Sequence, residues 1–130
     1  MQIYQNPKFI TVTYFEKPKH ILFDWVKLAI PLEDLKTLHM KAYEVAVEKK
    51  VKTLIAETSK VTDVLFQECI EWFGKDHVPR LAAGGVSRII TVVPKTALGR
   101  LTTKSWQGAV QGIEIHEVAT LDDAIKLVVE

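Results

Sequence analysis

Residues 76–94 read DHVPRLAAGGVSRIITVVP, and the reading of the glycines at 84 and 85 decides the fold. A glycine loop built for phosphate follows a strand and opens a helix, so that backbone amides and the positive helix end converge on the anion. Here the order is reversed. Val78-Pro79 starts a short helical stretch through Ala83, and Val86–Val93 is an apolar run that Pro94 stops. Gly84-Gly85 therefore reads as a helix end, where glycine takes the left-handed conformation without a Cβ clash. The run VSRIITVV is apolar on both faces, which predicts a central strand covered on both sides.

Moving toward the N-terminus, Thr62 or Asp63 is predicted to cap a helix whose apolar face carries Leu65, Phe66, Cys69, Ile70 and Phe73, with Gly74 weakening it. Val51–Ala56, VKTLIA, predicts a short buried strand. Pro31, Glu33 and Asp34 mark the start of a helix from about Leu32 to Lys49, with Leu35, Leu38, Ala42, Val45 and Ala46 at helical spacing. KFITVTYF (8–15) and HILFDWVK (20–27) are dense in β-branched and aromatic residues. The polar EKPKH between them predicts an antiparallel hairpin, and Gln2–Tyr4 a short lead-in strand.

Moving toward the C-terminus, Thr96–Val110 has near-helical apolar spacing and Ile113–Val118 reads as a last strand. Thr120 then precedes a final apolar face of Leu121, Ala124, Ile125 and Val128. The whole is an α/β fold: a mixed, mostly parallel sheet of five or six strands with about four helices, in one domain over residues 1–130. Parallel neighbours imply right-handed crossovers.

Composition narrows the chemistry. Hydrophobic residues make up 48% and charged residues 25% of 130 residues, as in an ordinary globular chain. The formal net charge of +1 gives no footprint for nucleic acid. A single cysteine, Cys69, excludes an internal disulfide and argues against a cysteine-held zinc. The start MQIYQNPKF lacks the pattern of a signal peptide, and no apolar run reaches the roughly 18 residues of a membrane span. These features predict a cytoplasmic protein without an integral membrane span.

Several words from Val51 onward carry a resemblance. They are VKTLIAETS (51–59), Glu71-Trp72-Phe73, VPRLAAGGVSRIITVVP (78–94), Leu98-Gly99-Arg100-Leu101 and IHEVATLDDAIKLV (115–128). In order and wording the chain from Trp25 onward resembles the SpoIIAA-like branch of the STAS domains, relatives of anti-sigma-factor antagonists. The resemblance implies a SpoIIAA-like mixed sheet and a regulatory module that binds a protein partner rather than turning over substrate. The wider superfamily includes lipid-carrying domains, which implies the alternative of an apolar ligand between sheet and helices. In the antagonists an Asp-Ser pair after the second parallel strand accepts a phosphate that switches partner binding. Here the stretch is Glu57-Thr-Ser-Lys-Val-Thr-Asp-Val64. It holds no Asp-Ser pair, and Leu65-Phe66 stand where the pair belongs. Ser59 and Thr62 are the hydroxyls left as phosphoacceptor or partner-binding candidates.

No catalytic constellation is visible. His20, His39, His77 and His116 are scattered without metal spacing, and Ser87 in GGVSR does not form a nucleophile elbow. Cys69 on an apolar helix face reads as a structural thiol. Glu68 and Glu71 read as solvated surface. Asp24, which interrupts ILFDWV, either points outward by alternation or is a buried acid facing a pocket. No catalytic residue, metal or cofactor is assigned. The ligand-pocket candidates are Trp25, Trp72 and Trp106, with Arg80, Arg88 and Arg100 as side chains that would converge on an anionic group. Self-association through an edge strand or an apolar helix face is left open, with a homodimer as the simplest form.

Overall fold

The alternation in ITVTY builds the first part of the sheet. In the computed structural model, which describes residues 1–129, Ile10, Val12 and Tyr14 are buried while Thr11 and Thr13 are only half-buried. That is a strand with one covered face. Three antiparallel strands form this part: β1 (Gln2–Asn6), β2 (Ile10–Glu16) and β3 (Lys19–Trp25). Three more then join β3 in parallel: β4 (Thr53–Glu57), β5 (Arg88–Val92) and β6 (Glu114–Val118). The spatial order is the sequence order, β1 to β6, so the sheet is mixed and six-stranded. The run expected to be central, β5, is an inner strand one place from the edge; β3 and β4 occupy the middle.

The helices are α1 (Leu32–Lys49), α2 (Gln67–Trp72), α3 (Val78–Ala83), α4 (Ala97–Gly108) and α5 (Leu121–Val129). A π-helical turn, Phe73–His77, joins α2 to α3, which makes four helical units in all. Residues of α1, α2, α3 and α4 share one apolar core with Ile10, Val12, Phe23, Leu54 and Ile89. α5 covers the opposite face through Ala124, Leu121, Ile125 and Val128, against Ile55, Ile90 and Val92. No helix among the described residues is long and apolar enough to cross a membrane.

The Gly84-Gly85 step is a helix end. The amide of Gly84 donates to the Arg80 carbonyl at 2.9 Å, and Gly85 has φ +102°, open to glycine and costly for other residues. Two threonines cap helix starts. Thr96 Oγ1 accepts from the amide of Gly99 at 3.0 Å, and Thr120 Oγ1 from that of Asp123 at 3.1 Å.

The helix expected from Thr62 or Asp63 starts later, at Gln67. The Asp63 carboxylate is engaged elsewhere: Oδ1 accepts from the amide of Leu28 at 2.9 Å and Oδ2 from that of Ala29 at 3.0 Å. It clamps the turn after β3 to the segment after β4, so both its oxygens are turned to the amides of Leu28 and Ala29 and not to a helix start. Residues 58–66 are neither helix nor strand. Leu65 and Phe66 therefore precede the helix rather than lie on its face, and Phe66 is exposed.

Gly74 does not break the helical run. Pro79 supplies no N–H, and the turn before it is wound in the wider π form. Gly74 matters for packing instead, because a Cβ there would stand 2.7 Å from Ala109 Cβ and 2.8 Å from the Ala109 carbonyl oxygen. Helix propensity favours alanine by about 1 kcal/mol, but overpacking against a fixed carbonyl costs about 1–3 kcal/mol. Gly74→Ala is therefore expected to lower the unfolding free energy, by up to about 2 kcal/mol. Urea denaturation measures this, and a stabilised variant would contradict the packing.

Candidate functional site

Strand register creates a hollow on the face covered by α1 to α4. Across β3, β4 and β5, one row on this face is Ile21, Leu54 and Ile89; the next is Phe23, Ala56 and Thr91. The first row is uniformly large. The second falls to a methyl group at Ala56. A cavity of about 60 Å³ lies there, walled by Phe23, Trp25 and Ala56 of the sheet, Leu35 and His39 of α1, Phe73 of the π turn and Trp106 of α4. Leu28, Leu54, Thr58, Leu65 and Ile89 complete the lining. No charged side chain is among them apart from the titratable His39.

Polar atoms near the hollow are mostly committed. Thr58 Oγ1 donates to the Val92 carbonyl at 2.6 Å. Gln107 Nε2 donates to Thr91 Oγ1 at 2.9 Å and so ties α4 to the sheet. His39 is the exception: its Nδ1 is buried without a hydrogen-bond partner. An unpaired buried polar atom costs about 1–3 kcal/mol, so this one stands out in an otherwise apolar wall.

His39 belongs to an aromatic cluster. Its ring centroid lies 4.9 Å from that of His77, 5.1 Å from Phe73 and 5.3 Å from Phe23. Trp72 stacks on His77 at 5.0 Å with an 18° interplanar angle. Arg80 Nη1 lies 3.2 Å from His77 Nδ1. A guanidinium only donates, so Nδ1 accepts and the proton of neutral His77 resides on Nε2. Burial, aided by Arg80, lowers the His77 pKa to about 4. Burial, with His77 adding to it, pushes that of His39 well below the usual histidine range. Both rings are neutral in the folded protein at neutral pH.

Two of the three tryptophan candidates, Trp25 and Trp106, line the cavity; Trp72 stands behind it on His77. The arginine candidates do not meet. Arg80 binds His77 and the Met40 sulfur, and Arg100 donates to the Lys95 carbonyl at 3.1 Å. Arg88 lies at the start of β5 beside Lys19, Lys50 and Lys52. None of the three lines the apolar cavity. Ser59 and Thr62 sit in the segment between β4 and α2, before the helix N-terminus. The Ser59 amide donates to Glu57 Oε1 at 2.8 Å, and Thr62 is exposed.

Asp24 faces away from the cavity, in the same register row as Glu57 and Val92, with its carboxylate 3.3 Å from Lys60 Nζ. Cys69 is buried with its thiol 3.6 Å from the Ile30 carbonyl, and burial, with Glu68 adding to it, raises its pKa to about 11. Such a thiol is a poor nucleophile. Among the described residues no group of three or more His, Cys, Asp or Glu could hold a metal ion.

His39 and His77, scattered in sequence, are brought together by the fold. The signal for His39 was present: it stands four residues after Leu35 and three before Ala42, on the apolar stripe of α1. The chain matches no family model, no curated protein and no solved structure.

Neutral buried histidines make stability depend on pH. The unfolded chain binds protons below the ordinary histidine pKa of 6.5, while the folded chain refuses them until a lower pH. Stability is therefore full above about pH 6.5 and falls as pH drops. His77 alone accounts for about 3 kcal/mol of loss by pH 4, where its share levels off. Urea midpoints taken between pH 7 and 4 are expected to show this decline, and His77→Phe to flatten it. A flat wild-type profile would refute the burial account.

Proposed function

We propose that this protein binds a small apolar ligand between its sheet and the helices on one face. The observation that carries the reading is the cavity itself: an apolar hollow walled by Trp25, Trp106, Phe23 and Phe73, placed where Ala56 leaves the sheet face low. Apolar pockets with few polar groups are the usual form of small-molecule sites. At about 60 Å³ the hollow is well below the roughly 150 Å³ that takes benzene in an engineered apolar cavity. A ligand of that size or larger enters with an outward shift of a wall. The irregular wall, residues 58–66, contributes Thr58 and Leu65. The resemblance to SpoIIAA-like domains, with lipid carriers in the wider superfamily, supports a non-enzymatic ligand sensor or carrier.

Native mass spectrometry of the protein released gently from the cells that make it is expected to show an added mass of a small organic molecule. Ala56→Leu, which fills the hollow with three more carbons, is expected to fold and to lose that mass. An unadorned chain in the wild type, or an adduct that survives Ala56→Leu, would end this reading.

A second reading, a cytoplasmic regulatory module that binds a protein partner, is favoured by a different observation. Val64, Phe66, Leu98 and Leu101 are all exposed. The two short stretches that carry them are tied together, because the Leu65 amide donates to Thr102 Oγ1 at 3.0 Å. Exposed apolar groups of this kind mark interaction surfaces when they gather in one place. A partner recovered with the wild type is expected to be lost with Phe66→Ser and Leu101→Ser, and unaffected by acids at Ser59 and Thr62. Full recovery with both serine variants would exclude this surface.

A further inference from the structure

One residue of the cavity wall, His39, carries a buried nitrogen without a partner, and meeting it specifies a ligand more narrowly than the apolar walls do. His39 is buried, lines the cavity, and has an Nδ1 without a partner. Thr58 of the wall is bonded to the Val92 carbonyl, and Arg80, Arg88 and Arg100 line no part of the hollow. The geometry points to a ligand that is uncharged and mostly apolar and carries a single hydroxyl, with that hydroxyl bonded to His39. This inference rests on the cavity being the ligand site.

The chemistry follows from what each alternative would leave unpaired. A carboxylate or phosphate would bring a charge into a wall with no lysine or arginine, and a buried charge without a partner is strongly disfavoured. A pure hydrocarbon would leave Nδ1 unpaired, at the usual cost of an orphaned buried polar atom. Water alone is a poor occupant, since a buried water wants two to four polar partners and this wall offers His39 as its buried unpaired one. A hydroxyl both donates and accepts, so it meets Nδ1 whichever nitrogen of the neutral ring carries the proton. The rings of Phe23, Phe73 and Trp106 then enclose the apolar body, which makes a phenol the natural probe.

The test compares 4-fluorophenol with fluorobenzene by fluorine NMR, on wild type and on His39→Leu, with Trp106 contacts read from proton NMR to place the probe. In wild type 4-fluorophenol is expected to bind more tightly than fluorobenzene. In His39→Leu the preference is expected to shift toward fluorobenzene by about tenfold, the usual worth of one buried hydrogen bond. If both probes bind at Trp106 and the preference does not change in the variant, the hydroxyl anchor falls while the cavity reading stands. If fluorobenzene alone binds the wild type, the anchor falls in the same way. If neither binds, the cavity reading falls and takes the anchor with it. Should His39→Leu fail to fold, the wild-type pair decides: a preference for fluorobenzene overturns the inference, and one for 4-fluorophenol supports it.

Discussion

The structure depends on burying both faces of the inner parallel strands. Ile55 and Ile90 are fully buried on one face, Leu54 and Ile89 nearly so on the other. Each such side chain contributes about 1.5–3 kcal/mol when withdrawn from water, so neither face can be left wet. The three crossover units, from α1 to α4, cover one side. α5 must then cover the other, and it is too short to be stable as an isolated helix. It is helical because Leu121, Ala124, Ile125 and Val128 have a sheet to lie on. The β1–β2 hairpin needs no such second layer, because its outward row at Thr11 and Thr13 is polar.

The same constraint explains why a hollow exists at all. Helices spanning a flat, evenly filled face would close on it. Here the face is uneven, large at Ile21, Leu54 and Ile89 and low at Ala56, while Trp25, Phe73 and Trp106 hold the rim apart. Large side chains around one small one cannot all collapse inward without leaving their rotamers. His39 reaches this space because α1 crosses it with the stripe that also carries Leu35 and Leu38.

Much of this architecture was legible in the sequence because the signals are local. The alternation in ITVTY, the apolar run before Pro94, the spacing in α1 and the glycine step at 84–85 each fix a conformation through neighbours in the chain. What was hidden depends on distant partners. Asp63 has the side chain of a helix cap, but the amides of Leu28 and Ala29 compete for it from 34 or more residues away, and the helix starts later for that reason. Gly74 looked like a weak point in a helix until Ala109 supplied its packing reason. Trp25 and Trp106 were legible as large groups, but the hollow they rim required the register that sets Ala56 beside Phe23. The arginines, near the ends of elements in sequence, lie at separate places, Arg80 on His77 and Met40, Arg88 beside Lys19, Lys50 and Lys52, and Arg100 on the Lys95 carbonyl.

Residues 58–66 connect the inside of the domain to its surface. The segment is extended where it meets α2, with Phe66 at φ −63° and ψ 145°. Leu65 lines the cavity while its neighbours Val64 and Phe66 are exposed. A shift of Leu65 large enough to admit a ligand would carry Val64 and Phe66 with it, within the limits set by the Asp63 clamp and the bond from the Leu65 amide to Thr102. On the proposed ligand reading, occupancy of the hollow would act on the apolar surface, since a single short stretch forms the wall on one side and the surface on the other.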